Sequence, residues 1–240
     1  MIYCGDCLEV MQNLPDNSVN MILTDLPYGQ TKSDWDKEID LDLLWDQYLR
    51  IAKDTTPILL FGQEPFSSKL RLSNLSMYKY DLYWEKERAT NILQVKRRFG
   101  KTIETISVFY KKQPTYNPQM QKHDGPLRSN KIGDGKLGNL VDSGNKKVKE
   151  YHDNGLRYPT QVLHFKRDIL TSNLHPTQKP VALLEMLIKS FTNEGDIVLD
   201  SCMGSGSTGV ACQFTNRKFI GIEKDSTFFK IAERRLSGQI

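Results

Sequence analysis

LDSCMGSGSTGVA, residues 199–211, reads as the end of a buried strand, a glycine-rich turn and the opening of a helix. Glycine is needed there for a geometric reason: the turn requires positive φ, and a ligand must approach the backbone closely. Free N–H groups at the start of the helix then suit a polar or anionic ligand group. Farther on, KFIGIEK (218–224) reads as a second strand carrying Glu223 near its end, where a carboxylate can accept hydrogen bonds from the two hydroxyls of a ribose. Dinucleotide-binding folds use a similar turn, so the glycines alone do not single out a ligand. Two details do. No Lys-Ser or Lys-Thr follows the glycines, which excludes a P-loop, and Asp200 stands at the strand end, where it would repel a pyrophosphate. A carboxylate at that point suits a cofactor with a cationic group, such as the amino group of a methionine.

Strands and helices alternate outward from this turn. KPVALLEMLIKSFT (179–192) is an amphipathic helix with Pro180 suited to its first turn. VACQFTN (210–216) reads as helix, and STFFKIAERRLSG (226–238) as a last helix that Asp225 or Ser226 can cap. At the other end of the chain, MIYCG is a short strand and LEVMQNL a short helix stopped by Pro15. NMILTD (20–25) is a buried strand. LDLLWDQYLRIAK (41–53) carries apolar residues at helical spacing, PILLFG (57–62) is a strand, SSKLRLSNL (67–75) a helix, and YDLYWEK (80–86) and TISVFYKK (105–112) two more strands. This alternation predicts an α/β fold with a largely parallel sheet.

TDLPYG (24–29) follows directly on NMIL, at a strand end, where sheets of this class place ligands. Asp25 offers two acceptors, the backbone carbonyl of Leu26 another, and Tyr28 a flat ring, while Pro27 fixes φ and stiffens the loop. Together they can hold an exocyclic NH2 group, with acceptors for both hydrogens and an aromatic face for the base. A plain turn after a strand would read the same way if this tetrapeptide stood alone.

The bulk properties set limits. At 240 residues the chain can build one sizeable core with a small insert. Its 38% hydrophobic and 26% charged content excludes a largely disordered chain, and a net charge of +4 permits a nucleic-acid partner without demanding one. No run is apolar enough to span a bilayer, and MIYCGDCLEV lacks the features of a leader, so the expectation is a cytoplasmic protein without a membrane partner. Cys4 and Cys7 form a lone C-x-x-C, with Cys202 and Cys212 far away, so no metal site is expected and the pair reads as small buried side chains at a strand end.

Charge is uneven along the chain. The stretch 111–167 is rich in Gly, Asn, Lys, Tyr and Pro, and carries twelve Lys or Arg against five Asp or Glu, an excess larger than that of the whole protein. The rest of the chain is therefore slightly acidic. The expected organisation is 1–110 as one half of a domain, 111–167 as a basic insert and 168–240 as the other half.

The two constellations together resemble the amino-methyltransferases of DNA, which carry a D/N/S-P-P-Y motif and an F-x-G-x-G-like motif. The catalytic motif (25–28) precedes the basic region and the glycine motif (200–206) comes last, an order similar to the permuted β group of bacterial and phage enzymes. HPTQKPVALLE (175–185) resembles that group's helix-opening motif, and YCGDCLEVMQNLPDNSVNMILTDLPY its N-terminal signature. The resemblance implies a circularly permuted, Rossmann-like S-adenosylmethionine-dependent methyltransferase fold. It implies catalysis by Asp25, Leu26, Pro27 and Tyr28. It implies cofactor contacts from Asp6, Cys7, His175, Lys179, Asp200, Cys202, Gly204, Gly206, Ser207, Thr208 and Glu223, with His175 and Lys179 near the cofactor carboxylate. Leu26 departs from the usual first proline, and Ser201-Cys202-Met203 from the usual proline-phenylalanine stretch.

Methylation of N6 of adenine in duplex DNA, with base flipping, is the activity the resemblance implies, since an acidic residue at the position of Asp25 usually goes with adenine. Methylation of cytosine N4, of RNA or a protein glutamine, and DNA binding without chemistry are the alternatives. Lys146, Lys147 and Lys149 form a basic cluster expected to meet phosphates. Trp35, in the polar loop QTKSDWDKEI (30–39), either stacks on the flipped base or packs. Trp84 either lines the base pocket with Lys86 or belongs to the core. A homodimer and a restriction partner are compatible with the family.

Overall fold

Successive residues of a strand face opposite ways, and strand β2 (Met21–Asp25) uses both sides. Met21 and Leu23 join one apolar cluster and Ile22 the other; strand β3 (Ile58–Gly62) repeats this, with Ile58 and Leu60 on one side and Leu59 and Phe61 on the opposite one. A strand buried on both faces needs helices above and below it. The computed structural model, which describes residues 1–29, 37–123, 125, 154–168 and 178–239, supplies them.

In chain order the main unit contains β1 (Ile2–Cys4), α1 (Cys7–Met11), β2, α2 (Leu41–Ile51), β3, α3 (Phe66–Ser73), β4 (Tyr78–Glu85) and β5 (Ile103–Phe109). After β6 (Gln121–Lys122) and β7 (Leu156–Arg157), which belong to a second unit, it resumes with β8 (Val162–His164), α4 (Val181–Phe191), β9 (Ile197–Asp200), α5 (Ser207–Phe214), β10 (Lys218–Glu223) and α6 (Ser226–Leu236). Eight strands form one sheet in the order β1-β10-β9-β2-β3-β5-β4-β8. Every neighbouring pair is parallel except the two made by β5, which lies antiparallel to both β3 and β4. Helices α1, α2 and α3 cover one face through Met11, Leu44, Trp45, Tyr48 and Leu70. Helices α4 and α5 cover the other through Leu184, Ile188, Ala211 and Cys212.

The two halves of the chain meet within this sheet where β9 lies beside β2. β9 pairs with β2, placing Val198 opposite Met21 and Leu199 opposite Ile22. From β9 the chain moves outward through α5 to β10, and from β2 it moves the opposite way through α2 to β3. Such a switch of direction opens a crevice at the carboxyl ends of the two central strands. This is the permuted, Rossmann-like arrangement that the order of the motifs implies.

Local caps set the helix starts. Asp6 accepts from the N–H of Leu8 at 2.9 Å, and Asp225 from those of Thr227 and Phe228 at 2.7 and 3.1 Å. Helix α5 begins at Ser207, earlier than the expected VACQFTN, because Gly206 takes the left-handed conformation (φ 79°) and turns the chain directly into the helix. Lys111 and Lys112 lie past the end of β5 and both pair with Asp54, at 2.8 and 2.7 Å. Trp84 is core: it is 2% exposed and its Nε1 donates to the carbonyl of Phe165 at 2.8 Å.

The main unit comprises Met1–Asn117 and Thr160–Ile240; the second unit is Pro118–Pro159, shorter than the 111–167 stretch set apart by composition. In that second unit β6 (Gln121–Lys122) and β7 (Leu156–Arg157) pair antiparallel. Lys146, Lys147, Lys149, Trp35 and His175 lie outside the described residues. No helix among the described residues is long and apolar enough to cross a membrane.

Candidate active site

A cavity of about 660 Å³ lies at the carboxyl ends of β9 and β2, within the size range of ligand sites. Its wall includes the whole D-L-P-Y segment, the turn from Asp200 to Ser205, Ser207, Thr208, Glu223 and the stretch from Gly5 into the first turn of α1 at Leu8. Residues at opposite ends of the sequence therefore share one chamber.

The turn is held by its own carboxylates. Glu223 accepts from the N–H of Gly204 and of Asp225, each at 2.8 Å. Asp200 accepts from the hydroxyl of Thr208 at 2.6 Å and from the N–H of Cys202 at 3.2 Å. Burial pushes the Asp200 carboxyl up to about 7, and also raises that of Glu223. A side chain at Gly206 would be both strained, at φ 79°, and crowded, since a Cβ would sit 3.2 Å from the Cβ of Ala232. Ser201 fills the place of the missing family residue with polar contacts: its N–H donates to Thr24 Oγ1 at 3.0 Å, and its hydroxyl lies 2.6 Å from the hydroxyl of Tyr48.

Charge around the cavity favours a cationic ligand. Its described wall holds seven carboxylates, including Asp6, Asp200 and Glu223, against three lysines, Lys37, Lys179 and Lys224. Lys179 and Lys224 are engaged by carboxylates, Lys224 by Asp6 at 2.9 Å. A polyphosphate would be repelled here; an amino acid ammonium or a sulfonium would not.

On the catalytic side, the Tyr28 hydroxyl donates to Asp25 Oδ1, and Lys179 Nζ lies 2.7 Å from Asp25 Oδ2. The same ammonium lies 2.5 Å from Glu104 Oε1, and Lys86 Nζ lies 2.7 Å from Glu104 Oε2. Two acids and two lysines thus alternate in a buried chain, where each charge is stabilised by its neighbours. Burial disfavours ionisation of Glu104, but Lys179 and Lys86 outweigh it and hold the carboxyl at about 2. Asp25 is pushed up from its usual value by burial, against the pull of Lys179. Burial also lowers the tendency of Tyr28 to ionise, with Asp25 and Glu104 adding to the effect. The Asp25 side chain keeps 20% of its surface exposed, so the cavity can reach it. The Tyr28 ring rests on Phe66 with centroids 5.0 Å apart, and Leu26 is buried at 3% exposure, anchoring the loop that lacks the usual proline.

The structure brings together Asp6, Cys7, Asp25, Leu26, Pro27, Tyr28, Lys179, Asp200, Cys202, Gly204, Ser207, Thr208 and Glu223 around the cavity. Gly206 stands behind it as the pivot of the turn. Lys179, read from sequence as a partner of the cofactor carboxylate, lines the cavity with its Nζ between Asp25 and Glu104. Neither Trp84 nor Lys86 is part of the wall, because Trp84 packs inside and Lys86 turns to Glu104. The C-x-x-C does not act as a pair: Cys7 is buried, whereas Cys4 is exposed, contrary to its reading as a buried side chain, and all four cysteines are free. No cluster of three metal-ligating side chains occurs among the described residues.

Two residues of the candidate site are not singled out by the sequence. Glu104 sits in β5 on the same side as Ile106 and Val108, so a lone acid at an inward position of an alternating strand was the signal. Phe228, at the start of α6, lines the cavity, and nothing in the sequence separated it from Phe229 beside it.

Comparison with known proteins agrees with this geometry. The family model for N6/N4 DNA methylases matches residues 19–234. The DNA adenine methyltransferase YhdJ of Escherichia coli (strain K12) is 30% identical over 249 residues, covering 97% of this chain and 81% of that protein. The Type II methyltransferase M.HpaI of Haemophilus parainfluenzae is 25% identical, over 99% of this chain and 74% of that protein. Among solved structures, the M1.HpyAVI–SAM complex aligns with a TM-score of 0.65 at 27% identity, covering 98% of this chain and 99% of that one.

Proposed function

Since the chain belongs to the N6/N4 family of DNA methylases, with S-adenosylmethionine as its cofactor, we propose that it methylates N6 of adenine in duplex DNA after flipping the base out of the stack. The observation that carries this reading is the shared cavity: Asp25 and Tyr28 open into the same chamber as Asp200, Gly204 and Glu223. The adenine product is supported by the acid at position 25 and by the likeness to an adenine methyltransferase.

The cofactor supplies a methyl group on a sulfonium. In this reading Asp200 receives its amino group, Glu223 its ribose and Asp6 its adenine, which is supported by their shared position on the cavity wall with Cys7, Cys202, Ser207 and Thr208. The turn at Gly204 and Gly206 lets the backbone come close.

The exocyclic nitrogen of adenine is a poor nucleophile because its lone pair is delocalised into the ring. Asp25 and the Leu26 carbonyl accept its two N–H bonds and draw it toward tetrahedral geometry. Each oxygen of Asp25 has two lone pairs, so the contacts with Tyr28 and Lys179 leave acceptor capacity for the substrate. The Tyr28 ring provides the flat face against the base. Its seat on Phe66 fixes that face. Asp25 acts by orientation and electrostatics, since the proton can leave after the methyl arrives.

The test is incubation with labelled S-adenosylmethionine and mixed-sequence duplex DNA, followed by digestion and mass spectrometry of the nucleosides. N6-methyladenine that disappears in Asp25→Ala is the expected result. N4-methylcytosine would overturn the product assignment, and no methylated nucleoside would overturn the reading as a whole.

A further inference from the structure

The loop joining β4 to β5 exposes what a protein usually hides. Residues 92–100 all face solvent, yet Leu93 is 99% exposed and Phe99 98%, with Ile92 at 65% beside them. Apolar side chains gathered in this way mark a surface that becomes covered when the protein works. Among them stand Lys96, Arg97 and Arg98, none of which pairs with an acid among the described residues.

The loop has a defined backbone. The N–H of Thr90 donates to the carbonyl of Lys101 at 2.9 Å, and the N–H of Lys101 to Asn91 Oδ1 at 2.7 Å. Asn91 Nδ2 donates to the carbonyl of Phe99 at 3.1 Å, and the N–H groups of Arg97 and Arg98 both donate to the carbonyl of Gln94, at 2.9 and 3.0 Å. Lys101 Nζ donates to Gln63 Oε1 at 2.5 Å, and Gln63 lines the active-site cavity.

Sheet register gives its position. Asp25 lies opposite Phe61, and Phe61 opposite Ile106 across the β3–β5 pair. Because β5 runs antiparallel, going back from Ile106 to Ile103 leads beyond the edge on which Asp25 stands. The loop therefore leaves the sheet on the catalytic edge, two strands over, about 10 Å to the side.

We propose that residues 91–101 form a DNA-contacting surface, in which Lys96, Arg97 and Arg98 bind phosphates and Phe99 and Leu93 enter the base stack beside the target. The proposal rests on the reading of the site as a DNA methyltransferase and deepens it. Guanidinium groups match phosphate geometry, and apolar wedges at an opened base step replace stacking that flipping removes. Unpaired cations interleaved with unburied apolar groups suit a duplex, which offers anionic backbone and π faces together.

The experiment compares wild type with Arg97→Gln/Arg98→Gln and with Phe99→Ala. Cofactor binding by calorimetry is expected to be unchanged in both, because none of these residues lines the cavity. Binding of the Arg double variant to a mixed-sequence duplex is expected to lose about two units of slope of log affinity against log salt. Phe99→Ala is expected to keep that slope but to methylate the duplex roughly tenfold more slowly, the size of one lost stacking contact. Variants that bind and methylate as wild type does, in a protein that methylates DNA, overturn the loop proposal and leave the function standing. If the Arg double variant loses the expected slope but the wild type methylates nothing, the function is overturned and the loop's phosphate contacts stand. Loss of slope on anionic vesicles but not on DNA would mean that the loop meets a membrane surface, and would overturn the proposal.

Discussion

Lys179, just before helix α4, and Asp25, at the end of β2, form a buried ion pair with Nζ 2.7 Å from Oδ2. The lysine is 10% exposed and the aspartate 20%, and Glu104 closes the group on the far side of the ammonium. Removing the cation leaves two buried carboxylates facing each other. Lys179→Met is therefore expected to cost about 3–5 kcal/mol of stability, the usual effect of breaking a buried pair from one side. Denaturant unfolding measures it, and a change below about 1 kcal/mol would show that the pair carries little of the stability.

Tyr28 contributes a hydroxyl to Asp25 and a ring to the cavity wall. Tyr28→Phe removes one hydrogen bond to a carboxylate, so methyl transfer is expected to slow roughly tenfold. Tyr28→Ala also removes the stacking face and should slow it by about tenfold more. Single-turnover rates distinguish the two contributions; equal rates for both variants would leave the ring without a role.

Asp200 couples stability and cofactor affinity to pH in opposite directions. Its folded value of about 7 lies above that of an ordinary aspartate. Between the ordinary value and about 7, the unfolded chain binds fewer protons than the folded one, so this group's contribution to stability falls as pH rises. Asp200→Asn should flatten the decline in melting temperature between pH 5 and 7.5. Affinity for S-adenosylmethionine should rise over the same range in wild type, as Asp200 ionises opposite the amino group, and stay level in the variant. Calorimetry checks this, and a pH-independent wild-type affinity would remove Asp200 from the contact.

Gly206 and Gly195 both have positive φ, 79° and 82°, but differ in surroundings. An added Cβ at Gly206 would crowd Ala232, whereas nothing lies within 4 Å at Gly195. Gly206→Ala is expected to lower stability by about 2 kcal/mol or more and to weaken cofactor binding, with Gly195→Ala costing about 1 kcal/mol through φ alone. Melting curves and cofactor titrations compare them; equal effects on binding would show that the turn tolerates a side chain.

The sheet is legible where short apolar runs end on clear punctuation. NMILTD and PILLFG announce strands because each is a short apolar run closed by polar or glycine punctuation, as expected of strands buried on both faces. The antiparallel β5 was legible as a strand but not in its direction, since TISVFYKK reads alike either way. The 111–117 stretch was grouped with the basic insert on composition, yet Lys111 and Lys112 pair with Asp54 and Asn117 bonds to residues around the end of α4. Composition cannot report such long-range partners.

The sequence by itself determined the alternating α/β order, the glycine turn at 204–206 and the acid-aromatic motif at 25–28, because each is written in neighbouring residues whose φ, period or chemistry is local. Only the tertiary structure decided that Asp25 shares Lys179 with Glu104 and that the loop bearing Phe99 leaves the sheet on the same edge. Those relations depend on strand order and register, in which β9 meets β2 and β5 turns back against β3. Long-range pairing of this kind is set by how the whole apolar surface is buried, and no short stretch of sequence contains it.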